Sequence, residues 1–291
     1  MKTFLDCFPC FLKQAIECAR LSSDDPHIHR KTADRIMKIL LNLDAGLSPP
    51  SIAREVYAEI KNITGNEDPY CQIKKKDNRQ MMDMYKEMKK LISGKNSLYM
   101  ACKISAGGNM IDSGTGRRKD SHGSKEINDI LKTEPVQDDF RQLEEGLENS
   151  RNLLFIGDNA GEIVADKLLI REIQDKCPKL NIKYAVRELP VINDATMNDA
   201  LEVGMDKLCE IISNGDSAPG TELRKCSKKF KEIFSDADLI ISKGQGNFET
   251  LSGNADNRIF FLLIAKCPVI AQHLDVPIGS MLIKKNDKSF S

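Results

Sequence analysis

From residue 151 onward the chain alternates short apolar runs with longer helix-patterned spans, and no other feature restricts its folding as strongly. The runs are NLLFIG at 152–157, NIKYAVR at 181–187, KLCEIIS at 207–213, ADLIIS at 237–242 and RIFFLLIA at 258–265. They are nearly continuous in apolar, β-branched and aromatic residues, as strands buried on both faces must be. Strands that alternate with helices predict an α/β domain with a mainly parallel, Rossmann-like sheet. In such sheets, ligand-binding residues gather beyond the carboxyl ends of the strands.

The first ~100 residues read as helices. CFPCFLKQAIECARL places Phe8, Phe11, Leu12, Ala15, Ile16 and Ala19 at three- and four-residue spacing, and HRKTADRIMKILLNL repeats the pattern. SPPSIAREVYAEIKNITG has Ser and Pro at its start and Gly just past its end. The Gly- and Ser-rich stretch 107–125 reads as loop, with Arg117 and Arg118 in a candidate flap. The expected organisation is an all-helical subdomain at 1–106, a loop-and-helix connector lining the cleft at 107–150, and an α/β domain at 151–291 with helices on both sheet faces.

Composition removes several function classes. Among 291 residues, 43 Lys and Arg balance 43 Asp and Glu, so no net basic field draws in nucleic acid. No run approaches the ~18 apolar residues of a membrane span. The best, IFFLLIA, is stopped by Lys266. The N-terminal MKTFLDCFPCFLKQ has neither the apolar stretch nor the cleavage site of a signal peptide. Nine cysteines, mostly solitary, fit a reduced, cytoplasmic protein.

Three polar clusters follow predicted strands. GDNAGE places Asp158, Asn159 and Glu162 after the first strand, and NDATMNDA places Asn193 and Asp194 after the second, just beyond Arg187. Each turn could simply cap a helix, for which one Asp or Asn is enough. The surplus of oxygen donors could instead hold a hard divalent cation shared by Asp158, Asn159 and Asp194. The third cluster, SKGQGNFE, delivers Lys243, Gly244, Gly246, Asn247 and Glu249, a lysine and a glycine turn suited to an anion. No Walker lysine loop and no GxGxxG fingerprint is present. A cation held by two acidic turns, facing an anion site, fits phosphoryl chemistry. An S-adenosylmethionine-dependent methyltransferase and a non-catalytic metal-binding module are the alternatives.

FIGDNAGEIVADKLLI, PVINDATMNDA and SKGQGNFETL closely resemble the metal-dependent damage-control phosphatases, long known as domain of unknown function 89. CFPC, DPYCQIKKKDN, GGNMID and AKCPVIAQHLDVPIG match family segments in order, so the resemblance spans nearly the whole chain and points to the stand-alone, CxxC-bearing archaeal-type subfamily. It implies a helical N-terminal subdomain on a Rossmann-like domain. It also implies a divalent metal (Mn2+, Ni2+, Co2+ or Mg2+) on Asp158, Asn159 and Asp194. The implied substrates are small phosphorylated metabolites: sugar phosphates, nucleotides or phosphopantetheine derivatives, damaged or in surplus. On this reading Lys243 and the turn from Gly244 to Gly246 hold the phosphoryl group, with Arg187 and Asn247 as further substrate contacts. Asn109 and Asp112 approach from the helical side, Glu162 and Glu249 orient water or support the site, and no single residue is assigned as general base.

Cys7 and Cys10 form the sole CxxC. A structural zinc normally takes a second pair, so structural, second-metal and redox roles all stay open. His27, His29, His122 and His273 form no ligand pattern that stands out from solvated histidines.

Overall fold

The computed structural model describes residues 1–111, 123–254 and 256–287. Five helices come first: α1 (Cys7–Ser22), α2 (Pro26–Leu41), α3 (Pro49–Thr64), α4 (Cys71–Leu91) and α5 (Ser97–Ile111). In α3 the punctuation works as read. Ser48 accepts the Ser51 N–H as the cap, and prolines fill the first positions, where a missing N–H is harmless. Helices α1 to α3 bury Phe11, Ile36, Ile52, Val56 and Ile60 among themselves. Helices α4 and α5 instead share a core with the sheet, through Met81, Met88, Ala101 and Ile104. The N-terminal helical region therefore contains two packing units.

Helix α5 runs through the glycine pair expected to end it. A Cβ on Gly107 would meet Ile130 Cγ2 of α6 (Gly123–Lys132) at 2.9 Å. That glycine is there for close helix packing, so residues 107–111 are helical where loop was expected.

The sheet contains β1 (Gln137–Asp138), β2 (Asn152–Ile156), β3 (Asn181–Val186), β4 (Glu210–Ser213), β5 (Leu239–Lys243), β6 (Ile259–Ile264) and β7 (Met281–Lys285), in the order β1-β7-β6-β5-β2-β3-β4. Strands β2 to β6 pair in parallel, and β7 runs antiparallel to β6. All five runs read from the sequence are strands. The other two are the two-residue β1 and β7, whose MLIKK ends in lysines.

Alternate residues go to opposite faces. Leu153, Phe155, Ile241 and Leu262 pack with α4, α5 and α8 (Glu162–Lys176). Leu154, Ile156, Ile240 and Phe261 pack with α10 (Lys228–Asp236), α11 (Gly244–Leu251) and α12 (Pro268–Leu274). Helices α7 (Phe140–Asn149) and α9 (Met197–Glu202) complete the α/β region. No helix among the described residues is long and apolar enough to cross a membrane.

From β2 the chain proceeds to β3 and β4 on one side, then crosses to β5 and β6 on the other. The turns after β2 and β5 thus flank the switch point, where open α/β sheets form their ligand crevice.

Candidate active site

The turn after β2 and the turn after β3 are joined by their backbones. Asn159 and Asp194 form an isolated antiparallel bridge. The Ala160 N–H donates to Asn193 O at 2.8 Å, and the Ala195 N–H to Asp158 O at 2.8 Å. Asp158, Asn159 and Asp194 therefore converge, all buried, on one end of a cleft of ≈ 390 Å³.

Side chains around them set their orientation. Asn159 Nδ2 donates to Glu162 Oε1 at 2.8 Å and to Asp158 Oδ2 at 3.2 Å, which leaves Oδ1 as the amide atom available to a cation. Arg187 is buried, not at the surface. Its Nε donates to Asp194 Oδ2 at 2.7 Å, Nη1 donates to Thr221 Oγ1 at 3.2 Å, and Nη2 lies 3.7 Å from Asp158 Oδ1. That Nη2 has no hydrogen-bond partner among the described residues. Gly244 permits this crowding: a Cβ there would fall 1.9 Å from Asp158 Oδ2, and its φ of 76° is the left-handed region.

The site carries surplus negative charge. Burial pushes Asp158 above the usual carboxylate range, the neighbouring Asp194 adds to this, and Arg187 opposes it. Burial raises Asp194 as well, again against the pull of Arg187. Glu162 is pushed up to about 7 by burial, despite Lys243. Two carboxylates and an amide oxygen beside an orphaned guanidinium N–H fit a hard divalent cation with a bound oxyanion. Among the described residues, no group of three or more His, Cys, Asp and Glu side chains is arranged as a metal site. The third donor here is an amide.

The expected anion cluster divides. Lys243 does not reach the cleft. It is fully buried beneath the β2 turn, where Nζ donates to Asp166 Oδ1 at 2.6 Å and lies 3.7 Å from Glu162 Oε2. Burial alone would lower its pKa, but Asp166 and Glu162 outweigh that and hold it above its ordinary value. The two acids on α8 need an internal cation, and Lys243 is that cation. Asn247 is also internal: Nδ2 donates to Gly157 O and Lys243 O, and Oδ1 accepts from Thr221. Gly246 and Glu249 do line the cleft. Asp112 lies outside the described residues, as do Arg117, Arg118 and His122, and Asn109 lies on the backbone of α5. Among the described residues, none of 123–150 contributes to the walls.

Lys266, which lines the cleft, has no functional reading from the sequence, and Gln245, inside the expected anion turn, lines it as well. Lys266 lies two residues beyond the carboxyl end of β6, as Lys243 lies at the carboxyl end of β5. In the sequence Lys266 stands out only as the stop of an apolar run. Exposed and cationic, it lowers the pKa values of Asp158 and Glu162 across the cleft. Gln245 bonds the Lys266 N–H, Cys267 Sγ and Glu249 Oε1, tying α11 to the turn after β6. Cys7 and Cys10 face the same cleft from α1, with Cys267 opposite on the sheet side. All are free thiols. A second metal on the CxxC finds no third His, Cys, Asp or Glu ligand among the described residues. His29 Nε2 pairs with Ser23 O at 2.6 Å, and His273 stacks edge-on against Phe248.

An acidic cleft at the switch point of a largely parallel sheet, capped by N-terminal helices, defines an α/β enzyme of the strand-end type. Residues 3–282 match the damage-control phosphatase ARMT1-like domain. The chain belongs to that family and is a phosphatase by membership. It is 35% identical over 290 residues to a damage-control phosphatase of Pyrococcus horikoshii, covering 98% of this chain and 99% of that one. It is 31% identical to a damage-control phosphatase of Archaeoglobus fulgidus, covering 96% and 97%. The crystal structure of a DUF89 family protein from P. horikoshii superposes with a TM-score of 0.92 at 33% identity, over 99% of this chain and 100% of that one.

Proposed function

We propose that the protein is a divalent-metal-dependent phosphatase acting on phosphate monoesters of small metabolites. Damaged or surplus sugar phosphates, nucleotides and phosphopantetheine derivatives are the candidate substrates. The observation that carries this reading is the convergence of Asp158, Asn159 and Asp194, on bonded backbones, at the foot of a cleft that Lys266 also lines. Asp158, Asn159 and Asp194 would hold a Mn2+, Ni2+, Co2+ or Mg2+ ion. Such an ion, when bound, supplies Lewis-acid neutralisation of the phosphoryl group and acidification of water.

The chain's own residues do the rest. Lys266 attracts the phosphoryl group and offsets charge on its oxygens. The first turn of α11, with Gln245 and Gly246 at the cleft, presents N–H groups that have no partner within the helix. Arg187 fixes the Asp194 carboxylate and presents its spare N–H beside Asp158. Lys243 acts at one remove, by holding Glu162, which in turn holds the Asn159 amide. Glu249, buried on the cleft wall and pushed up to about 7, is placed to orient water. Phe11, Pro50, Ala53, Ile192 and Pro268 form apolar walls suited to the carbon skeleton of the ester. Membership of a phosphatase family favours this reading over methyl transfer or an inert metal module.

The test is a panel of phosphomonoesters assayed for released phosphate after chelation and re-addition of Mn2+, Ni2+, Co2+ or Mg2+. Metal-restored hydrolysis is expected. Equal rates with and without chelator, or no release with any ion, contradict the reading.

A further inference from the structure

Helix α4 holds both acidic turns. Its basic CQIKKKDNR segment looks like a solvated face, yet Lys74, Asp77, Asn78 and Met81, at helical spacing, are buried. Asn78 Oδ1 accepts the Gly161 N–H at 2.7 Å, two residues beyond Asn159. Its Nδ2 donates to Glu202 Oε2 of α9 at 3.4 Å. One turn earlier, Lys74 Nζ donates to Asp199 Oδ2 at 3.0 Å and pairs with Asp68 at 2.9 Å. The same Asp199 oxygen accepts the Thr196 N–H at 2.9 Å and its hydroxyl at 2.6 Å, two residues beyond Asp194. Burial would lower the pKa of Lys74, but Asp199 and Asp68 outweigh it.

One rigid helix face therefore grips each donor-bearing turn at the equivalent position, while the Asn159–Asp194 bridge joins the turns to each other. The triangle of turn, turn and helix leaves little freedom in the spacing of Asp158, Asn159 and Asp194. We infer that Asn78 and Lys74 are positioning residues that set the affinity of this site for its divalent ion, an inference that rests on the proposed function above. Neither residue lines the cleft or meets substrate, so they act through the turns alone.

The test is calorimetric titration of the chelator-treated full chain with Mn2+, well below the melting temperature of each variant. Partners outside the ligand shell typically alter metal affinity by roughly 10–100-fold. Asn78→Ala and Lys74→Met should each weaken Mn2+ binding by that factor, while saturating Mn2+ restores kcat to within about threefold and leaves KM for substrate unchanged. Lys74→Arg, which still reaches Asp199, should recover most of the affinity. A purely structural role would lower the melting temperature without moving the dissociation constant, and that result overturns the inference. If Asn78→Ala does not fold, the contrast between Lys74→Met and Lys74→Arg decides it. Failure of the wild-type chain to bind Mn2+ overturns the metal reading itself. Wild-type binding matched by both variants overturns only the clamp.

Discussion

Asn159 and Asp194 face each other across a two-residue backbone bridge, although they follow different strands. The bridge joins two strand-end turns into one donor set, and the helices that follow are capped elsewhere, at Gly161 and Thr196. Capping therefore does not account for Asp158, Asn159 or Asp194. Joined, the turns place two carboxylates and an amide oxygen in a cleft whose nearest buried cation, Arg187, already bonds one of the carboxylates.

That arrangement separates stability from activity. Asp158→Asn keeps the shape of the turn and should abolish metal-dependent hydrolysis, with kcat down by at least ~100-fold. Asp194→Ala should do the same and also unfold more easily. It strips the buried Arg187 of its closest partner, a change that costs ~3–5 kcal/mol. Urea midpoints measured beside phosphate release check both, and unchanged stability in Asp194→Ala would refute the role given to Arg187.

Lys266 is exposed, so its removal should spare the fold. Lys266→Ala is expected to raise KM about 10-fold and weaken inhibition by inorganic phosphate to a similar extent, the loss of one charge-assisted contact. Its melting temperature should match wild type. Steady-state kinetics with phosphate as product inhibitor read this directly, and an unaltered KM with lowered kcat would move Lys266 from binding to chemistry.

Glu249 gives a pH signature. Burial raises its pKa to about 7 in the folded chain, above its value of ~4.3 when unfolded. Between those values the folded state binds the extra proton, so its contribution to stability falls as pH rises through that window. The chelator-treated protein should therefore lose stability as pH rises from ~4.3 to about 7, and Glu249→Gln should flatten the loss. Denaturation midpoints across this range test it, and an identical slope in the variant contradicts it.

The CxxC should respond to a thiol oxidant. Positions three apart in a helix place Cα atoms ~5 Å from each other, within the ~4.4–6.8 Å span of disulfides. Diamide, reduced to the hydrazine as it takes two electrons and two protons from the thiols, should join Cys7 to Cys10. Two free thiols and most of the activity should be lost, and dithiothreitol should restore both. Cys10→Ser should be insensitive. Full activity after loss of the two thiols would separate the pair from the cleft.

The α/β region was legible because burial on both faces leaves an unmistakable mark: Ile259–Ile264 is apolar at every position. Strand β1 has only two residues and leaves no such mark. Gly107 misled because a glycine required by a neighbouring helix looks the same in sequence as one that ends a helix. Within the site, the acidic turns were readable from strand-end placement. The partition of cations was not. Lys243 ends β5 and Lys266 lies just beyond β6, and only the burial of Asp166 and Glu162 on α8 decides which lysine neutralises the interior and which faces the cleft. Likewise Arg187 could be read as a surface clamp until its partner Asp194 was seen beneath it, and Lys74 and Asn78 as solvent-facing until α9 was placed against them.

The central claim is that Asp158, Asn159 and Asp194 hold a catalytic divalent ion, and one measurement tests it most directly. Phosphate release from p-nitrophenyl phosphate is followed in chelator-treated protein as Mn2+ is added, for wild type and for Asp158→Asn. The account predicts activity that rises from near zero to saturation in wild type and stays flat in the variant. Full activity before any metal is added, or an equal metal response in Asp158→Asn, would contradict it.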